Sequence, residues 1–200
     1  ILFTDADGKT ERVYPDIESG IYSVTISQKF LDEAKYPIKA NDTFGKSDTG
    51  GSDSSQSPNY INGTRATASG GGTVTAISCY VHHNGSDGYI SLAIYLDSSK
   101  ARLGYGTEIA TIPSSYGTAT STGLSVAVTA TDYLLAINNT VGITLKYDTG
   151  VADQTHWLSR LYAYPLEDPF AATFHDSGIY SIYATYTPSG GASTSPSASP

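Results

Sequence analysis

The stretch Thr73–Asp97, TVTAISCYVHHNGSDGYISLAIYLD, decides the fold. Ile77, Cys79 and Val81 alternate with Ser78, Tyr80 and His82; farther on, Ile90, Leu92, Ile94 and Leu96 alternate with Tyr89, Ser91, Ala93 and Tyr95. A period of two sends successive side chains to opposite faces, which is what a half-buried strand requires. Between the runs lies Asn84-Gly85-Ser86-Asp87-Gly88, whose residues accept positive φ or cap their own backbone, so the chain reverses there. The expectation is a β-hairpin with one aliphatic face and one face bearing Tyr80, Tyr89 and Tyr95. A lone hairpin is barely stable in water, so the aliphatic face needs a second sheet over it.

The composition agrees with an all-β chain. Two hundred residues are enough for one domain with a real core, plus appendages. Gly is plentiful, Tyr reaches 16, Met is absent and charged residues make up 15%. Helical proteins use more Leu, Glu, Lys and Ala. A net charge of −8 argues against nucleic acid, whose phosphates need clustered Lys and Arg, and against anionic membrane surfaces. No apolar run approaches the roughly 20 residues that span a bilayer. The single cysteine, Cys79, stands on the aliphatic side of its strand, as a small buried hydrophobe does, and no intramolecular disulfide is possible.

Outward from the central stretch, the strand signals recur at sandwich spacing: Gly63–Ser69, the two arms, Gly106–Ile112, Leu124–Thr131, Tyr133–Asn138, Ile143–Tyr147 and Ile179–Thr187. Eight strands joined by Gly, Ser, Thr and Asn turns predict a jelly-roll β-sandwich over residues 43–188. Lys46–Asn59 reads as a polar loop, and Asp148–Gly178 as a long irregular insertion. Residues 1–42 form a strand-rich appendage too small to hold a core of its own. It has two short strands around Asp5-Ala6-Asp7-Gly8, a strand in Ile21–Ser27 and one helical turn near Lys29–Tyr36. Asp5, Asp7 and Gly8 imitate the middle of an EF-hand. However, Phe3 and Tyr14 occupy the positions of its first and last ligands, so a polar turn is the better reading. Residues 189–200, low in complexity and rich in Ser and Pro, read as a flexible or polyproline-II tail. A chain that begins at Ile1 is expected to be a processed product or an excerpt.

Several motifs carry a family resemblance: TFG at Thr43–Gly45, GTRATAS at Gly63–Ser69, GTVTAISCYV, LAIYLD, KYDTG, DPF and YSIYATYT, in that order. The chain from about Thr43 to Thr187 resembles jelly-roll modules of secreted bacterial and archaeal proteins and of virus- or phage-encoded structural proteins. There such modules often precede Ser-Pro-Ala repeats. They are also similar to carbohydrate-binding modules. The resemblance implies a fold and an extracellular setting, and it brings no catalytic residues.

Four kinds of site are legible. Trp157, Tyr162 and Tyr164 in the long insertion, with His156 beside them, offer flat faces and a polar group to a glycan; the alternative is that these rings plug an open edge of the sandwich. Tyr80, Tyr89 and Tyr95 offer a glycan platform, a subunit contact or a packing surface for the N-terminal segment. Asp148, Asp153 and Asp176 are candidates for a structural calcium, against solvated turn aspartates; His82 and His83, adjacent on a strand, point apart and cannot chelate together. Sequons at Asn41, Asn62, Asn84 and Asn138 lean toward an extracellular glycoprotein. No nucleophile elbow, zinc-protease motif, P-loop or dinucleotide fingerprint is present, so no enzyme is expected.

The leading functional expectation is a non-enzymatic building block of an extracellular assembly, such as a virion component, surface filament or adhesin stalk, that associates with itself or with other subunits. It rests on strands in residues 1–42 able to complete a sheet in cis or across subunits, on 16 tyrosines among few charges, and on a tail that needs something to hold it. The other expectation is a carbohydrate-binding module acting through the aromatic insertion.

Overall fold

The computed structural model describes residues 2–5, 7, 9–14, 16–18, 21–35, 39–172 and 174–189, so the tail from 190 onward lies outside the described residues. Two antiparallel sheets face each other. The first is built on β8 (Gly72–His83). One edge of β8 carries β11 (Gly117–Val128). The opposite edge carries β17 (Ile182–Pro188) and then, beyond Val81, β13 (Ile143–Thr149). Outside β17 lies β5 (Lys39–Gly45); outside β13 lies β6 (Ser52–Gln56), and β16 (Gly178–Tyr180) continues along the other edge of β13. The second sheet runs β10 (Arg102–Tyr105), β9 (Ile90–Leu96), β12 (Asp132–Asn139), β7 (Tyr60–Thr67), β14 (Thr155–Ser159), β15 (Phe174–Asp176).

The expected hairpin is therefore an arch. β8 and β9 belong to opposite sheets, and the Asn84–Gly88 turn carries the chain across the sandwich. Alternation specifies which face of a strand is apolar and says nothing about which strand lies beside it. The arms instead bond to the β12–β13 connection: Asn84 N donates to Gly142 O (2.8 Å), and Thr140 N donates to Tyr89 O (3.0 Å). Ile77, Cys79 and Val81 then meet Ile90, Leu92 and Ile94 across a core completed by Leu135, Ile137, Leu145 and Ile182. Each such fully buried side chain contributes roughly 1.5–3 kcal/mol.

A second apolar layer lies on the outer face of the second sheet. Residues 160–172 cross that face as a strap, and Leu166 and Phe170 cover Ile61, Tyr95, Leu134 and Ala136. This is why β12 and β9 are buried on both faces. Tyr95 O–H donates to Glu167 O (2.7 Å), which gives the buried ring its polar partner.

Three expectations change. The strand expected at Gly106–Ile112 is displaced to β10, and residues 106–112 are tied to β9 by an isolated Ile90–Ile109 bridge and to β11 by Thr107 N, which donates to Thr122 O (2.7 Å). Gly106 fits closely under Ser121 and Leu124 there, and a Cβ would lie 2.3 Å from Ser121 Oγ. The polar loop Lys46–Asn59 contains β6, an edge strand that pairs by its backbone and needs no apolar residues. The irregular insertion supplies β14, β15 and β16. The described strands thus exceed the eight expected.

The N-terminal strands β1 (Leu2–Thr4) and β2 (Thr10–Arg12) extend the first sheet of their own chain through β5. The polar turn between them closes on Asp5. Its Oδ1 accepts from Asp7 N and Lys9 N, and its Oδ2 accepts from Lys35 N. Those bonds, that of Lys35 first, hold the Asp5 carboxyl below its usual range. β3 (Asp16–Glu18) pairs with β4 (Ile21–Ser23), so the strand expected over Ile21–Ser27 is three residues long. The helical turn is α1 (Gln28–Glu33), capped by the Ser27 hydroxyl, which accepts from Phe30 N (3.1 Å). No helix among the described residues is long and apolar enough to cross a membrane.

Candidate functional site

At one open edge of the sandwich, β7, β14 and β15 of the second sheet face β6 and β16 of the first across a groove of about 290 Å3. Strand parity builds its floor. On β7, Asn62 and Thr64 share the inward face with Ala66, which belongs to the core; Asn62 pairs with Trp157, and Trp157 pairs with Phe174. Tyr60 leans on Trp157 from one side (centroids 5.9 Å, 46°), and Phe174 stacks on it from the other (4.3 Å, 17°). The indole is thereby fixed within a row of aromatic rings crossing three strands. One row along, Thr64, Thr155 and Asp176 stand in register.

The opposite wall is polar. Gln56 Nε2 donates to Ser54 Oγ (2.7 Å) and to the Tyr180 hydroxyl (3.1 Å). The Thr155 hydroxyl donates to Gly178 O, clamping floor to wall. Burial raises the Tyr180 phenol above its usual pKa, so it stays a neutral donor and acceptor. Asn62 is 3% exposed, and its Nδ2 has no hydrogen-bond partner among the described residues. A buried donor left unpaired costs about 1–3 kcal/mol. The Asp176 carboxylate is exposed, and Oδ1 accepts from Ser177 N (2.5 Å).

The structure separates the residues that the sequence grouped. Trp157 is in the groove, but His156, its neighbour on β14, faces the other way. It is buried against the His175 ring (4.4 Å, 77°), with Nε2 3.2 Å from Asp153 O. Desolvation, aided by the nearby Lys100, lowers its pKa to about 4. Tyr164 lies at the opposite edge of the second sheet, and Tyr162, whose N donates to Asn59 Oδ1 (2.9 Å), sends its ring toward Glu108 and away from Trp157. The Tyr162 hydroxyl donates to Glu108 Oε1 (2.6 Å), and Tyr164 meets Tyr105 of β10 edge to face (5.6 Å). They anchor the strap and do not join Trp157.

Tyr80, Tyr89 and Tyr95 share no surface either. Tyr80 stacks on Tyr116 on the first sheet (5.8 Å, 2°), Tyr89 is 46% exposed in the arch, and Tyr95 is fully buried beneath the strap. Splitting the supposed hairpin between two sheets is the cause. Asp148, Asp153 and Asp176 do not converge, and no group of three His, Cys, Asp or Glu side chains suited to a metal occurs among the described residues. Asp148 is instead engaged by Gly51 N (2.7 Å) and Lys46 Nζ (2.5 Å), and Asp153 lies beside His175. Of the sequons, Asn84 is exposed, Asn62 and Asn138 are buried, and the side chain of Asn41 lies outside the described residues.

Sequence reasoning missed Tyr60, Gln56 and Tyr180, and it read Asn62 only as a sequon. A usable signal was present: Asn62 and Thr64 are polar residues at inward positions of a strand whose next inward residue, Ala66, is core. Compared with known proteins, the chain matches no protein-family model and no curated sequence.

Proposed function

We propose that this chain is a non-enzymatic, extracellular carbohydrate-binding module of the jelly-roll type, with its ligand in the groove between β6 and β14. The observation that carries the reading is the buried, unpaired amide of Asn62 beside the fixed indole of Trp157. A sugar ring meets both needs, because its C–H faces pack on aromatic rings while its hydroxyls satisfy amide, carboxylate and phenol groups. Asp176 is the one carboxylate among the described lining residues, whereas glycoside cleavage ordinarily uses a pair.

Strand order supports the jelly roll. Take β5, β7, β8, β9, β10, β11, β12 and β17 as first to eighth. One sheet then runs first, eighth, third, sixth, and the other runs second, seventh, fourth, fifth. That is the order two interleaved Greek keys give, with β1 to β4, β6 and β13 to β16 as additions.

The assembly reading has less to rest on. The strands of residues 2–12 complete a sheet within the chain, and Tyr95, Tyr133, Tyr180 and Tyr186 are core residues. A glycan array probed with the full chain tests the proposal. Binding is expected to be lost in Trp157→Ala and kept in Tyr164→Ala at the far edge of the sheet. An array without binding, or binding indifferent to Trp157, overturns it.

A further inference from the structure

Resting on that reading, we infer that the groove selects neutral pyranosides and rejects acidic glycans. Among its described lining residues the only charged group is the Asp176 carboxylate, and no cation reaches it. The nearby cations are engaged elsewhere: Lys46 with Asp48 and Asp148, Lys146 with Asp53 while lying over the Tyr116 ring, and Arg65 with Asp97. A uronate or sulfate entering the groove would meet a like charge with nothing to balance it, in a chain already carrying −8.

The free hydrogen-bonding groups say what fits instead. Asn62 Nδ2 is a donor in need of an acceptor. Asp176 spends Oδ1 on Ser177 N, and its Oδ2 has no partner among the described residues, so it is an acceptor in need of a donor. Asp176 stands one row, about 7 Å, along the strands from the Trp157 row. A hydroxyl both donates and accepts, so a pyranose lying along the Trp157–Phe174 pair can give a proton to Asp176 and offer an oxygen to Asn62. An anionic substituent can only accept, and Asp176 has nothing to donate to it.

The test is titration calorimetry of the full chain at physiological salt. The ligands are neutral oligosaccharides of glucose, mannose and N-acetylglucosamine, set against oligogalacturonate and a sulfated glycan, with Asp176→Asn and Asp176→Lys as variants. Asp176 is exposed on an edge strand, and unchanged melting temperatures certify the variants. Binding of at least one neutral series and of neither acidic one is expected. Asp176→Asn should weaken neutral binding about tenfold, since a charge-assisted hydrogen bond is lost, and Asp176→Lys should admit an acidic ligand. Acidic glycans that bind the native chain in a Trp157-dependent manner overturn the inference and leave the glycan reading standing. Neutral binding unchanged in Asp176→Asn also overturns it. Absence of binding by every saccharide overturns the underlying reading as well.

Discussion

The ring edge of Phe170 lies 2.7 Å from the point where a Cβ on Gly63 would stand. Strap and second sheet therefore meet without a side chain between them, on the strand whose neighbouring residue, Asn62, faces the groove on the other side. Gly63→Ala should destabilise the protein by about 1–3 kcal/mol, as overpacking does. Phe170→Ala should cost about 3–5 kcal/mol, because the ring fills a layer with Tyr95 and Leu134. With the ring removed, the added methyl has room, so the double variant should be clearly less destabilised than the sum of the two. Urea midpoints of the four proteins give the coupling, and strict additivity would show that the contact is not what makes Gly63 necessary.

Cys79 lies at the centre of β8, paired with Ala119 on one side and Ile182 on the other, and is fully buried. Desolvation pushes its thiol up to about 12. A disulfide reagent at pH 8 should leave the native protein unmodified and label one thiol per chain in guanidinium. Rapid labelling of the native form would show that the core opens there.

Much of the sandwich was legible because burial imposes a period, and the arms of Thr73–Asp97 carry it plainly. Their partnership was not legible, since Ile77 and Ile90 alternate in the same way whether side by side or face to face. Buried on both faces, β9 and β12 hide their second interface, so Tyr95 passed for a surface residue. β6 escaped notice because an edge strand of Ser, Asp and Gln has no apolar face to announce it. In the groove, Trp157 stood out by residue type. Asn62 acquires its meaning only from the two sheets that bury it.

His156 should make stability pH-dependent over a defined window. Its ordinary value of 6.5 falls to about 4 on folding, with desolvation the main cause; Lys100, His175 and Arg65 add repulsion that Asp97 partly offsets. Between those values the unfolded chain binds a proton that the folded one refuses, so stability is full above about pH 6.5 and is lost as pH falls toward 4. A shift of that size amounts to roughly 3 kcal/mol at its limit. His156→Gln, neutral throughout, should lose less stability than the native protein between pH 7 and pH 4.5 in guanidinium titrations. Equal losses would mean that the imidazole is protonated in the folded state.

Asn84 should be the glycosylated position when the sequons at Asn62, Asn84 and Asn138 are compared in a host that N-glycosylates secreted proteins. It sits exposed in the arch before Gly85, whose φ of 114° gives the loop its turn. Its Oδ1 accepts from the Thr144 hydroxyl (2.7 Å), which orients the amide of this exposed side chain. Asn62 and Asn138 meet the same sequence rule but are buried, and Asn138 has Oδ1 bonded to Asn139 N. A glycan on Asn138 would have to pass through a packed sheet, and one on Asn62 would have to leave from the closely packed floor of the groove, so chains modified at either would not reach this fold. Glycopeptide mapping of the folded, secreted protein should find a glycan at Asn84, removed by Asn84→Gln, with Asn62 and Asn138 bare. A glycopeptide carrying Asn62 in protein that still melts cooperatively would show that the groove floor opens far more than its burial allows.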